Sequence, residues 1–194
     1  VQDRLFDFGT GQWLIDKHDP ALRLIFYTAP KWLVGVFGLY LLVSLARTFR
    51  QGGPRADRRR LLFMILCLAI VPIILSGSKN FTNVYCPWDV NRYGGTAPYV
   101  KLFESYPEGY EHAGGRPKCF PAGHSSGGFA LMGLYYFRRR RTHRFAGLCL
   151  GLASGWAMGG YQMLKGAHYL SHTVASMLIA WLIIVALRGM VEPS

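Results

Sequence analysis

Long apolar runs alternate along the chain with short, strongly polar ones. WLVGVFGLYLLVSLA at 32–46 carries no charge and stops at a cluster of arginines. LLFMILCLAIVPIILSG at 61–77 is a second run, with Pro72 placed to bend it near its far end. AGHSSGGFALMGLYYF at 122–137 is a third, short for a crossing that takes about 20 residues. FAGLCLGLASGWAMGGYQML at 145–164 is a fourth, lined with small residues that permit close helix contacts. HTVASMLIAWLIIVAL at 172–187 is the fifth and ends at Arg188. The stretch 78–121 is polar, rich in Gly, Pro, Tyr and Asn, and has no sustained period. This pattern predicts an all-α polytopic membrane bundle, about five transmembrane helices in one domain spanning 1–194. Residues 1–30 are expected as an interfacial segment anchored by Trp13, Phe26 and Tyr27. The chain opens without methionine, and the expectation is that a signal or a further helix precedes it; a helix would bring the bundle to six.

Composition fits the pattern. The 194 residues are 51% hydrophobic and carry a net charge of +12, with a mean hydropathy of +0.18. Such a chain is consistent only if charge and apolar surface are segregated. The arginines do cluster, in RTFRQGGPRADRRR (47–60) and RRRRTHR (138–144), each directly between two apolar runs. That is the pattern of cytoplasmic loops. A nucleic-acid face would need aromatic or polar readout residues around the cations, and none are there. Nucleic acid is therefore excluded as a partner, and the bilayer is the expected one. With both arginine loops cytoplasmic, 78–121 and the turn KGAHYLSH lie on the opposite, outer side.

The cysteines divide along the same map. Cys67 and Cys149 lie in apolar runs and read as packing residues. Cys86 and Cys119 both lie in the outer stretch, where an oxidising compartment permits a bond, and a Cys86–Cys119 disulfide is expected over two separate thiols. Their spacing matches no metal site of the CxxC type.

His124, His168 and His172 fall at helix ends on this outer side, and the last two share a face if their turn is helical. Lys79 stands at the outer end of the second run, and Arg92 and Arg116 lie in the loop above. The glycine-rich turn with Gly123 and Ser125 opens a helix, whose free amides favour an anion. One histidine can attack phosphorus and a second can protonate the leaving oxygen. Together these groups read as a phosphate site. Taken singly, a histidine in a headgroup layer, a snorkelling lysine or a packed glycine turn would each be ordinary.

The series resembles the type-2 phosphatidic acid phosphatase superfamily, integral-membrane lipid phosphatases with six helices. That family carries a lysine followed after six residues by Arg-Pro, then Pro-Ser-Gly-His, then Ser-Arg with a histidine six residues on and an aspartate four further. KNFTNVYCP keeps Lys79 and Pro87 but has Cys86 in the arginine's place. PAGH keeps Pro121, Gly123 and His124, with Ala122 for the serine. YQMLKGAHYLSH keeps His168, with Tyr161 and Gln162 for Ser-Arg and His172 for the aspartate. The resemblance implies that His168 forms a phosphohistidine, His124 is the general acid and Lys79 holds the phosphate.

The lost arginines call for replacement charge, since a transferring phosphoryl group needs cationic stabilisation. Arg116 ranks first, beside Pro117 and just before PAGH, followed by Arg92 and Lys165. For the lost carboxylate, His172 stands at its position and Asp89 can supply a carboxylate from the loop. The expected function is a metal-independent, cofactor-free lipid phosphatase acting on a lipid phosphate or diphosphate. Its expected place is a bacterial inner membrane, with the active site facing the periplasm. A phosphotransferase using the same intermediate, a lipid-binding protein with a decayed motif and a zinc site on the three histidines are the alternatives.

Overall fold

Asp19 starts the first long helix. Its carboxylate accepts from the amides of Ala21 and Leu22 at 2.8 and 3.0 Å, and Pro20 fills the first helical position. In the computed structural model, which describes residues 1–102, 104–110, 117–137 and 140–191, helix α1 then runs over Pro20–Arg50. A π-turn at Leu24–Thr28 interrupts it just before Pro30, which has no N–H for the carbonyl one turn back. Residues 20–30, expected as an interfacial segment, are thus the first turns of the helix. Helix α2, Arg55–Ser78, passes through Pro72. Helix α3 occupies 123–137 as alternating pieces: 3-10 at Gly123–Ser125 and Leu131–Gly133, α at Ser126–Ala130 and Leu134–Phe137. Helices α4, Arg141–Leu164, and α5, Leu170–Val191, follow. Among the described residues three helical stretches are long and apolar enough to cross a membrane: Pro20–Arg50, Arg55–Phe81 and Leu170–Val191.

Two ladders of every fourth residue form the core. Phe63, Cys67, Val71 and Leu75 line one face of α2; His172, Ser176, Ala180 and Ile184 line one face of α5. Phe129, Ala130 and Met132 of α3 pack between them. On α1, Leu41 is buried against Met64 and Leu134, whereas Trp32, Leu33, Val36, Leu39 and Tyr40 face outward. Cys67 belongs to the core, but Cys149 points outward from α4, so only one of the two is a packing residue.

Helix α4 carries glycine at 147, 151, 155 and 159, one per turn. A Cβ at Gly147 would run into Leu134, at Gly151 into the backbone of Leu131 and Met132, at Gly155 into the Phe129 ring and at Gly159 into Thr173. Lipid is as apolar as leucine, so helices in a bilayer gain by close packing rather than by burial from water, and small residues allow it.

A cap covers the end of the bundle remote from the arginine clusters. Strands β1 (Phe6–Asp7) and β2 (Gln12–Trp13) pair antiparallel, with Phe6 opposite Trp13. Phe6, Trp13 and Tyr93 meet with ring centroids 5.0–5.4 Å apart. Trp13 lies directly on Gly166, whose φ of +77° and lack of a side chain are both needed there. Trp13 is therefore packed on protein, not set as a membrane anchor. The Gln2 amide donates to the carbonyls of Met163 and His168, both at 3.2 Å, and the amides of Ile15 and Trp88 reach Leu164 and Gly166. These contacts fix the turn between α4 and α5.

Gly155→Val should lower the thermal unfolding midpoint of the detergent-solubilised protein, by overpacking worth about 1–3 kcal/mol. Gly160→Ala on the same helix, where an added Cβ meets nothing within 4 Å, should leave the midpoint close to wild type.

Candidate active site

Three segments meet beneath the cap. The end of α2 carries Ser76, with Lys79 the first residue past it, the turn 123–127 opens α3, and the first turns of α1 bring Tyr27 and Lys31. With Val34, Pro72 and Met158 they line a cleft of about 520 Å³. Gly123 sits against the Lys79 side chain: a Cβ there would stand 3.0 Å from the lysine Cε. Glycine at 123 therefore lets the cation approach the turn.

His124 lines the cleft and His168 lies behind it, only 2% exposed. His124 Nδ1 and His168 Nε2 are 3.2 Å apart. Tyr27 packs on the other side of His124, with ring centroids 5.3 Å apart. Burial pushes the His168 imidazole well below its ordinary pKa, and the charges of His124, Lys79, His172 and Lys165 push the same way. His168 is thus held neutral, with a lone pair available.

Behind His168, the Cys86 and Cys119 sulfurs are bonded at 2.09 Å. Cys119 Sγ stands 3.4 Å from His168 Nδ1 and 3.1 Å from the Ala167 carbonyl. Cys86, Cys119 and His168 place their ligand atoms within 4.8 Å of one another, a grouping able to hold a metal only as free thiolates. The three histidines do not converge on one point in this way. His172 is buried with its ring 5.7 Å from that of His168. One of its ring nitrogens bonds the Cys119 backbone, and its Nδ1 has no partner among the described residues.

Several expected site residues lie elsewhere. Arg92 is tied to Asp3 by two hydrogen bonds of 2.8 and 2.7 Å in the cap, and its guanidinium holds the Asp3 carboxyl down at about 2. It does not line the cleft. The buried Ser125 hydroxyl donates to the Ala122 carbonyl at 3.0 Å; Ser126, not Ser125, lines the cleft. The Asp89 carboxylate bonds the Cys86 amide and the Trp88 side chain, with Lys17 nearby, and burial raises its pKa. Its hydrogen bonds go to these groups and not to His168. Lys165 lies 4.7 Å over the Tyr161 ring, its pKa lowered by burial and by Arg23. Arg116 lies outside the described residues.

Lys31 and Tyr27 are the residues the sequence reading missed. Their signal was a lysine just ahead of an apolar run, on the same side as Lys79. Phe26, the other expected anchor, stacks on Tyr161 with centroids 5.8 Å apart.

No curated protein and no solved structure matches the chain significantly. A family model does, that of the PAP2 superfamily, over residues 60–193. That span covers more than half of the chain and takes in most of α2 and all of α3, α4 and α5, with Lys79, His124 and His168. Members of the family are phosphoesterases. A buried neutral histidine behind a second one, at a lysine-lined cleft, is a constellation suited to phosphate esters, and the chain belongs to the PAP2 superfamily.

Proposed function

We propose that the protein hydrolyses a lipid phosphate or diphosphate through a phosphohistidine, on the outer side of a bacterial inner membrane crossed by five helices of this chain. The contact between His124 and His168, placed at a cleft with two lysines, supports this reading most. His168 Nε2 attacks phosphorus, the ester oxygen leaves, and His124 gives it a proton. Water then attacks the phosphohistidine, losing its proton to His124, and inorganic phosphate departs with His168 restored. In-line attack needs reacting atoms about 3–3.5 Å apart, so His124 turns out of its 3.2 Å contact as the phosphoryl group takes the place between the rings.

Beside Lys79, the lysine that the family also carries, Lys31 adds cationic charge of the kind that the two absent arginines supply elsewhere in the family. An oxyanion flanked by two ammonium groups is stabilised without the bidentate geometry of a guanidinium. The lipid part of the reading rests on a second groove of about 500 Å³, apolar and lined by Phe26, Leu33, Phe37, Leu131, Leu150 and Ala157 among others. It shares Val34 and Met158 with the phosphate cleft. A phosphate in the cleft thus has an apolar path beside it for a tail, between α1 and α4 and open toward lipid.

Purified protein in detergent and EDTA should release phosphate from a panel of lipid phosphates, and His168→Ala should release none. Equal release by both would remove His168 as the nucleophile. His124→Ala should lose about 10²–10⁴-fold in kcat, the range of a positioned acid. Lys31→Met should lower kcat/KM, whereas Arg92→Met should leave it near wild type; the reverse ranking would return the loop arginine to the site.

The nucleophile works only as the neutral imidazole. Its pKa is lowered by burial, so it stays neutral as the pH falls through 6.5 and protonates only below it. The acid limb of kcat/KM, which reports the free enzyme, should therefore fall below pH 6.5. A limb centred at or above the ordinary histidine value would contradict a buried His168.

A further inference from the structure

A histidine nucleophile needs one ring nitrogen free and the other protonated. In His168, Nε2 faces His124 and Nδ1 faces Cys119 Sγ at 3.4 Å. A sulfur bonded to another sulfur has lone pairs and no hydrogen, so this contact has one direction only: Nδ1–H donates and sulfur accepts. The opposite tautomer would set two lone pairs against each other.

We infer that the Cys86–Cys119 disulfide is the orienting partner of His168: through the Cys119 sulfur it selects the Nδ1–H tautomer and leaves the Nε2 lone pair on the side of His124 and the cleft. A carboxylate performs this task in other histidine pairs. Here the carboxylate of Asp89 lies one step further back, on the Cys86 amide. The sulfur is held in place by more than its own bond, because the Cys119 amide donates to the Val84 carbonyl at 3.0 Å.

A thiol at Cys119 loses the selection. Its S–H can donate to Nδ1, which favours the Nε2–H form and removes the nucleophilic lone pair from the cleft. It can also turn to the Ala167 carbonyl, 3.1 Å from the sulfur, and leave Nδ1 without an acceptor. Opening the bond takes two electrons and two protons, which dithiothreitol provides as it closes to its own disulfide. Cys119 and Cys86 are then positioning residues, acting on phosphate only through His168.

The test separates the cross-link from the acceptor. In full-length protein carrying Cys149→Ala, Cys86→Ala leaves Cys119 as a thiol. Methyl methanethiosulfonate then converts that thiol: its thiolate attacks the sulfenyl sulfur, a methyl disulfide forms and methanesulfinate leaves. The proton-free sulfur returns without the tether. Two readouts follow, kcat with KM for phosphate release, and the tautomer of His168 from ¹⁵N imidazole NMR. The expected result is Nδ1–H in the oxidised parent, loss of that tautomer in Cys86→Ala, and its return on methylthiolation. In parallel kcat should fall about 10–100-fold with KM little changed, the scale for removing a histidine's outer partner, and should recover.

Should Cys86→Ala fail to fold, the same two readouts are taken on folded parent protein before and after dithiothreitol. Unchanged tautomer and kcat in the thiol form overturn the inference. So does a methylthiolated variant that recovers neither, since the bond would then act only as a tether. The kinetic arm rests on the phosphohistidine reading, but the NMR arm does not. A parent that cleaves no phosphate ester yet switches tautomer as described sinks that reading and leaves the orienting contact standing.

Discussion

Glycine at every fourth position of α4 lets its backbone lie against that of α3, and the separation of the two histidines at the cleft depends on that distance. His124 rides on the first turn of α3, and His168 on the turn that leaves α4. A side chain at Gly151 or Gly155 would push the two helices apart by the width of a methyl group or more. The 3.2 Å contact between the imidazoles would then open with them. The cap acts on the same distance from the other end. Gln2, Ile15 and Trp88 hold the backbone of residues 163–168 through hydrogen bonds, and Trp13 seals Gly166. One histidine is thus located by helix packing and the other by a turn clamped from outside.

The polar groups around the site are few, and most have a defined partner. Ser125 and Ser126 close the turn on Ala122 and Gly123, and Ser176 reaches the carbonyls of Ala122 and His172. Among the described residues that line the cleft are Lys31 and Lys79 but neither Asp nor Glu. A cleft of that kind has a positive potential focused by low-dielectric walls, which favours a multiply charged anion at its mouth.

How much of this could be read from the chain alone differs by element. The runs 61–77 and 172–187 are apolar on every side, so their helices were legible to within a few residues of α2 and α5. The start of α1 was not, because residues 20–31 mix prolines, aromatics and charges; the Asp19 cap and the π-turn that admit them are properties of the folded backbone. Lys79, His124 and His168 stood at fixed spacings, and the fold brings them to one end of the bundle. Side-chain direction was beyond the sequence. Arg92 finds Asp3 across 89 residues, and Ser125 turns inward where Ser126 turns to the cleft. Asp89 stops at the Cys86 amide. Lys31 escaped notice because it belongs to a helix whose beginning had been placed too late.

Helix α1 has 31 residues, about 46 Å at 1.5 Å per residue, against a hydrocarbon layer of about 30 Å. A helix so long lies tilted or carries its ends into water. Its early turns, with Tyr27, Lys31 and Val34, are also one wall of the cleft at His124. Bilayer thickness and the width of that cleft are therefore mechanically linked, and a thinner or thicker membrane would meet the enzyme as a change of substrate fit.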